Sequence, residues 1–214
     1  MIIIDSQDGS HSLRVSPDGP AYHSVFGAVT ESKHIFINNG FLKSDFETDK
    51  ILEIGLGTAL NAFLTLEEAM NKRKKVFYTA IEKFPVPEEI FTQLNYADNS
   101  PYKEYFLKIH YALSNTPTPI TDYFTILKLN IDLKDFIPND NYTLIYFDAF
   151  APEDQPEMWT NDVFEKIYSN TVKGGKLLTY CSKGIVKQAL RDAGFVVKRF
   201  QGPPGKHHAV MAVK

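Results

Sequence analysis

The sequence predicts an α/β protein built on a doubly wound, mostly parallel sheet. Three observations carry that prediction. Short apolar runs recur down the chain, at Ile51 to Ile54, Val76 to Ile81, Phe124 to Asn130, Thr143 to Phe147 and Leu177 to Cys181, with helical spacing in several of the segments between them. The first run passes straight into Gly55-Leu56-Gly57 and then into Leu60, Phe63, Leu64 and Leu66, the strand, turn and helix with which such a sheet begins. Acids stand where two of the runs end, Glu82 after the second and Asp148 after the fourth.

Taken in order, Ile2 to Ile4 and Ser12 to Val15 read as a hairpin around the turn signal Asp8-Gly9. Thr30 is a candidate N-cap for a polar helix that reaches Asn38 and stops at Asn39-Gly40. Residues 1–45 therefore form a hairpin and helix extension in front of a core at 46–214, within a single domain. Asn71 to Lys75 is a basic loop. Pro85 and Pro87 open a helix that continues from Glu88 to Ala97, and Tyr102 to Ser114 is a second, aromatic helix. His110 lies among apolar neighbours there and reads as a packed histidine. Asn115 to Pro119 is a loop. Thr160 caps a helix from Val163 to Val172, and Lys173-Gly174-Gly175-Lys176 turns into the fifth strand. Gly184 to Ala193 is the last helix. Phe195 to Phe200 and His208 to Val213 close a seven-stranded sheet as a hairpin whose final strand is antiparallel.

The bulk numbers restrict the function classes. With 214 residues and 43% hydrophobic content the chain suits one globular domain, and no stretch approaches the ~20 apolar residues of a membrane span. A lone Cys181 and an N-terminus with no basic region fit a reducing, cytoplasmic setting. No His/Cys set has metal-ligand spacing, so no metal is expected. Nine Lys/Arg against one acid put residues 170–214 at +8, and with a net charge of −3 the rest of the chain carries −11. Such asymmetry fits a polyanion meeting the C-terminal face, or simply a solvated surface.

The glycine turn identifies a ligand class. A dinucleotide site wants a third glycine where this chain has Leu60. The acid ahead of the turn, in Glu53-Ile54-Gly55-Leu56-Gly57-Thr58, instead resembles the first motif of S-adenosylmethionine methyltransferases, with Asn61 on the following helix. Glu82, 25 residues beyond Gly57, stands where nucleotide-binding α/β folds hold ribose hydroxyls, and a carboxylate can accept from both. Asp132 follows the third strand, where a short polar side chain can reach an adenine amino group or merely make a turn. Asp148 should sit beside the ligand, because the first and fourth strands flank the point at which the strand order reverses.

Across nearly the whole chain the residues resemble one family. Tyr146 to Trp159, YFDAFAPEDQPEMW, is similar to the D-[GA]-F-[AN]-P…P-[ED]-[ML]-W signature of the tRNA 5-methylaminomethyl-2-thiouridine methyltransferases, the MnmD type. Tyr22-His23-Ser24, Gly27-Ala28, Glu31-Ser32 and His34 to Ile37 resemble its N-terminal motif. Glu53 to Asn61 resembles its glycine loop, with Ala59 where members often carry Gly, and Glu82-Lys83-Phe84-Pro85 its E-K-F-P. The resemblance implies a Rossmann-like methyltransferase fold, S-adenosyl-L-methionine as methyl donor, and the primary amine of a 5-aminomethyl group on the tRNA wobble uridine as acceptor. It implies cofactor contacts from Glu53, Gly55, Gly57, Thr58, Asn61, Glu82, Lys83, Asp132 and Phe150. Substrate contacts would come from Tyr22, His23, Glu31, Ser32, Pro152, Met158, Trp159 and Lys183, with Trp159 or Tyr22 stacking on the base. Asp148 would orient the amine, accept its hydrogen bonds or take its proton, with a cofactor ligand as the alternative role. It further implies a stand-alone methyltransferase served by a separate flavin-dependent oxidase, and leaves the oligomeric state open, a monomer included. An alternative with the same cofactor chemistry is transfer to a small free amine, by methylation or by aminopropyl transfer.

Overall fold

A computed structural model describes all 214 residues. A small antiparallel hairpin, β1 (Ile2–Asp5) and β2 (His11–Arg14), precedes one eight-stranded sheet. Its strands are β3 (Thr48–Ile54), β4 (Lys75–Ile81), β5 (Thr118–Thr121), β6 (Phe124–Leu129), β7 (Tyr142–Phe147), β8 (Thr171–Thr179), β9 (Val196–Gln201) and β10 (His208–Val213). Their order is β5-β6-β4-β3-β7-β8-β10-β9. β6, β4, β3, β7 and β8 are parallel, and β10 is antiparallel to both its neighbours. The mostly parallel Rossmann-like sheet is thus present, with one strand more than the sequence predicts. The extra strand is β5, in the segment read as a loop; it pairs antiparallel with β6 at the sheet edge through an irregular register. An edge strand tolerates Pro119, which has no N–H to donate.

β7 is buried at all six positions, as a central strand covered on both faces must be. Its side chains alternate: Leu144 and Tyr146 join one apolar core, Ile145 and Phe147 the other. The first core is covered by α1 (Ala28–Ser32), its π-helical continuation Lys33–Asn38, α2 (Leu60–Lys72) and α4 (Lys103–Tyr111). The second is covered by α5 (Asn161–Ser169) and α6 (Gly184–Asp192).

Several boundaries differ from the expected ones for identifiable reasons. Thr30 is no cap: its hydroxyl and N–H donate to Asp8 in the hairpin turn, at 2.7 and 2.9 Å, and α1 starts at Ala28. Burial opposes ionisation of Asp8, yet hydrogen bonds from Ser10, Thr30 and Ser6 outweigh it and hold the carboxyl well below the usual range. The helix expected to Ala97 is only α3 (Glu88–Phe91) followed by turns. Asn95, in those turns, accepts from His11 N–H at 2.8 Å and donates to the Gly9 carbonyl at 2.9 Å, tying the segment to the hairpin. Thr160 does cap α5, accepting from Val163 N–H. The Gly-Gly pair does not precede β8 but lies within it, at an irregularity with Gly174 at φ +81°. No helix is long and apolar enough to cross a membrane.

Candidate active site

The parallel strands end together, and the cleft lies at their carboxyl ends where the order reverses between β3 and β7. The turn after β3 builds its floor. Gly55 has φ +87° and a Cβ there would stand 2.9 Å from the Asp148 carbonyl; at Gly57, φ +50°, it would stand 3.1 Å from the Tyr22 ring. Neither position can hold a side chain without moving a wall. Ala59 also adopts the left-handed region, at φ 58°, just before α2 begins.

Glu82 anchors the β4 side. One carboxylate oxygen accepts from Gly57 N–H at 2.9 Å and the other from Phe84 N–H at 2.8 Å. Burial pushes its pKa up against those backbone donors. Lys83 and Asp132 pair at 2.9 Å, and this contact, with the Lys134 N–H, holds Asp132 below the usual carboxylate range. Ile81, Ile131, Leu133 and Met158 supply apolar wall. A glycine floor, a carboxylate with free lone pairs and a flat apolar wall fit an adenosine-bearing cofactor.

A second cavity opens on the other side of Asp148. It is lined by Tyr22, His23 and Glu31 from the extension, by Ala151 and Asp154 after β7, by Tyr180 and by Lys206. Tyr22, Asp148, Ala149 and Phe150 line both cavities. The Tyr22 and Phe150 rings meet edge to face at 5.0 Å, forming the partition.

Asp148 sits at the junction. Its N–H donates to the Ile54 carbonyl at 3.0 Å, which fixes β7 against β3 at the cleft. The Asn61 amide donates to Asp148 at 2.8 Å and to Glu53 at 2.9 Å. Burial, then the Glu31 charge, pushes Asp148 up to about 7, with the Asn61 hydrogen bond and Lys206 pulling the other way. Glu53 is fully buried, and burial raises its pKa well above the usual value, favouring the neutral acid. His23 contacts the Thr58 hydroxyl at 2.8 Å and burial lowers it to about 4, so the ring is neutral.

The predicted residues sort by place. Gly55, Gly57, Glu82, Lys83, Asp132 and Phe150 line the first cavity, and Met158 joins them rather than the second. Tyr22 lines both, His23 and Glu31 the second. Glu53, Thr58 and Asn61 are buried behind the walls, where they position Asp148 and His23 instead of facing a ligand. Ser32 is buried in α1. Trp159 is buried too: its indole N–H donates to the Phe150 carbonyl at 2.8 Å and its ring packs on Phe147, so it props the wall and has no face free for a base. Pro152 is on the loop beside the second cavity without lining it, and Lys183 is outside both, paired with Glu153. His110 is packed as expected, stacked on Phe91 at 4.1 Å. Sequence reasoning missed Tyr180 and Lys206. Neither sits in a local motif: Tyr180 directly follows β8 and reaches the site with the other strand ends, and Lys206 arrives on the β9–β10 loop, tied to the extension through Glu31.

Comparison with known proteins agrees with this geometry. Residues 93–214 match the model of an S-adenosyl-L-methionine-dependent methyltransferase family. The chain is 27% identical over 219 residues to the tRNA 5-methylaminomethyl-2-thiouridine biosynthesis bifunctional protein MnmC of Pseudoalteromonas atlantica, covering 90% of this chain and 30% of that one. It is 30% identical over 200 residues to the MnmC of Leptospira interrogans, covering 85% and 30%. The chain thus spans under a third of these two relatives. The crystal structure of MNMC2 from Aquifex aeolicus superposes with a TM-score of 0.79 at 25% identity, over 99% of this chain and 69% of that one. S-adenosyl-L-methionine is accordingly the cofactor of this chain.

Proposed function

This chain belongs to the S-adenosyl-L-methionine-dependent methyltransferase family, and from that premise we propose that it methylates the primary amine of 5-aminomethyl-2-thiouridine at the tRNA wobble position, giving 5-methylaminomethyl-2-thiouridine. The observation that carries the reading is the place of Asp148, the one ionisable group common to both cavities apart from the Tyr22 phenol. A bound S-adenosyl-L-methionine supplies a methyl group made electrophilic by the sulfonium. Glu82 would hold the ribose hydroxyls, the Gly55–Gly57 floor would let the cofactor lie against the backbone, and Ile131, Leu133 and Met158 would flank the adenine. Asp132, paired with Lys83, stands where the adenine amino group would be met.

The acceptor enters from the other side. An aminomethyl group arrives mostly as an ammonium, which has no lone pair to offer. Asp148, with its pKa near 7, takes a proton from that nitrogen and keeps the freed lone pair directed past the Tyr22–Phe150 partition. Asn61 restrains the carboxylate so that it does not swing away. Tyr22 and the neutral His23 would contact the nucleoside, while the exposed Lys198, Arg199 and Arg191 would offer charge to tRNA phosphates. The protein works as one methyltransferase domain, 1–214, whose core at 46–214 is completed by the 1–45 extension, in the cytoplasm and downstream of a flavin-dependent oxidase that generates the aminomethyl group.

The same acid-lined cavity would admit a free amine, so the test contains both. Purified protein and S-adenosyl-L-methionine are incubated with tRNA carrying aminomethylated wobble uridine and, separately, with small polyamines, and the products are read by mass spectrometry. Methylation of the tRNA nucleoside alone is expected. Turnover confined to the polyamines would overturn the reading.

A further inference from the structure

The second cavity holds a cation of the protein's own. Lys206, in the loop between β9 and β10, pairs with Glu31 of α1, and its Nζ lies 4.3 Å from the centre of the Tyr180 ring. Glu31 is almost wholly buried and its other oxygen accepts from Ser24 N–H at 3.1 Å. The Tyr180 hydroxyl donates to the Ala149 carbonyl at 2.8 Å, so the ring beneath the ammonium is fixed to the residue after Asp148. The Lys206 head is therefore held between the Glu31 carboxylate and the Tyr180 ring, and Glu31, Asp148 and Lys206 line one cavity.

We propose that Lys206 is the charge-balancing residue of the acceptor cavity: it neutralises Glu31, so that an incoming primary ammonium meets a single carboxylate without a cation partner, Asp148, and one proton transfer discharges it. The inference rests on the amine-methylating reading above. Its physical basis is simple. Two bare carboxylates around an ammonium would stabilise the charged form and keep its proton in place. One carboxylate, with the Lys206 cation close by, leaves the neutral amine as the better guest once the proton has moved. In that step an N–H bond breaks, an O–H bond forms on Asp148, and the nitrogen keeps the electron pair.

The surrounding groups leave Asp148 as the one that titrates near neutrality. The extension contributes Tyr22, His23 and Glu31. Tyr22 is pushed up to about 12, by burial and then Glu82, and His23 is lowered to about 4. From the end of β8 come Tyr180 and Cys181, both raised by burial. From behind come Asn61 and the fully buried Glu53. Asp154 stands exposed at the rim, and Glu153 is engaged by Lys183.

Two measurements on the intact protein test this. In the first, the pH dependence of single-turnover amine methylation is compared for wild type, Lys206→Met and Lys206→Arg. The acid limb should move up by about one pH unit in Lys206→Met, the low end of the range for losing a nearby opposite charge, and stay in place in Lys206→Arg. The double variant Glu31→Gln with Lys206→Met restores the balance and should bring the limb back, which also guards against misfolding caused by an unpaired Glu31. In the second, the Asp148 carboxyl is titrated by carbon NMR without substrate, so that failure of the substrate reading does not hide the result. Its titration should move upward in Lys206→Met and return with Arg. A slower Lys206→Met enzyme with an unmoved limb and an unmoved Asp148 titration would overturn the proposal and leave Lys206 a clasp between loop and extension.

Discussion

The two cavities that share Asp148 are built in different ways. The cofactor side is made of strand ends: Gly55 and Gly57 after β3, Glu82 and Lys83 after β4, Asp132 after β6, Phe150 after β7. Each residue is placed by the strand before it, and the parallel register carries them to one edge. The acceptor side is assembled from parts far apart in the chain. Glu31 and Lys206 are 175 residues apart, and His23 is held by Thr58 across 35. The lesson is that a cavity built from strand ends can serve many acceptors, because the wall beside it is a separate construction that the extension and the C-terminal loop supply.

The largest effect that would sharpen this contrast is at the shared residue. Asp148→Asn keeps the shape and can still accept from Asn61, but cannot take a proton. Its methylation rate should fall by ~10²–10⁴, while S-adenosyl-L-methionine affinity, measured by calorimetry, should hardly change. In the wild type the rate should rise with pH through about 7, where Asp148 ionises, and raising the pH should partly rescue the variant as more amine becomes neutral. Stability should run the opposite way. A buried carboxyl with a raised pKa keeps a proton that the unfolded chain gives up, so ionising Asp148 destabilises the fold as pH climbs from about 4 to about 7. Asp148→Asn should therefore melt higher than wild type at pH 8 and near wild type at pH 4. Near wild-type turnover would remove Asp148 from the chemistry. Lost cofactor affinity with intact turnover at saturation would make it a cofactor ligand and erase the division between the two sides.

A middle-sized effect tests the cofactor side alone. Glu82→Ala removes the proposed ribose acceptor and the bonds from Gly57 and Phe84 N–H. S-adenosyl-L-methionine binding should weaken by about 1–3 kcal/mol, and NAD should bind neither protein. Glu82 does not line the acceptor cavity and is not among the charges that shift Asp148, so the acid limb of the rate profile should not move at saturating cofactor; a shifted limb would show the two sides to be coupled.

The smallest effect concerns the turn itself. Ala59 stands in the left-handed region and is fully buried. Ala59→Gly relieves roughly 1 kcal/mol of backbone strain. It also removes a buried methyl worth about 0.8 kcal/mol and loosens the unfolded chain. Denaturant unfolding should find a net change within about 0.5 kcal/mol. A large gain would show the turn to be under strain that the surrounding packing does not offset.

Much of the cofactor side was legible in the sequence. A glycine turn after an apolar run, an acid ending the next run and another ending the fourth are local patterns. In a parallel sheet local patterns fix position, because every strand end points to the same edge. The same reasoning placed Glu53 and Asn61 in the right neighbourhood but gave them ligand contacts, whereas they are buried and act on Asp148 from behind. Trp159 followed an aromatic, proline-fixed loop and suggested a stacking platform; only packing against Phe147 and the bond to the Phe150 carbonyl turn it inward.

The sequence by itself determined the fold class, the strands of the central sheet and the three acids Glu53, Glu82 and Asp148, since hydrophobic period and strand-end placement are read over a few residues. Tertiary structure alone decided which of those acids face a cavity, that β5 closes the sheet edge, and that Tyr180 and Lys206 meet Glu31 beside Asp148. The meeting of Tyr180 and Lys206 with Glu31 depends on contacts between segments more than a hundred residues apart, and the facing of the acids on which way a buried side chain turns. No local pattern encodes either one; they are fixed only when the whole core packs and each buried polar group has found its partner.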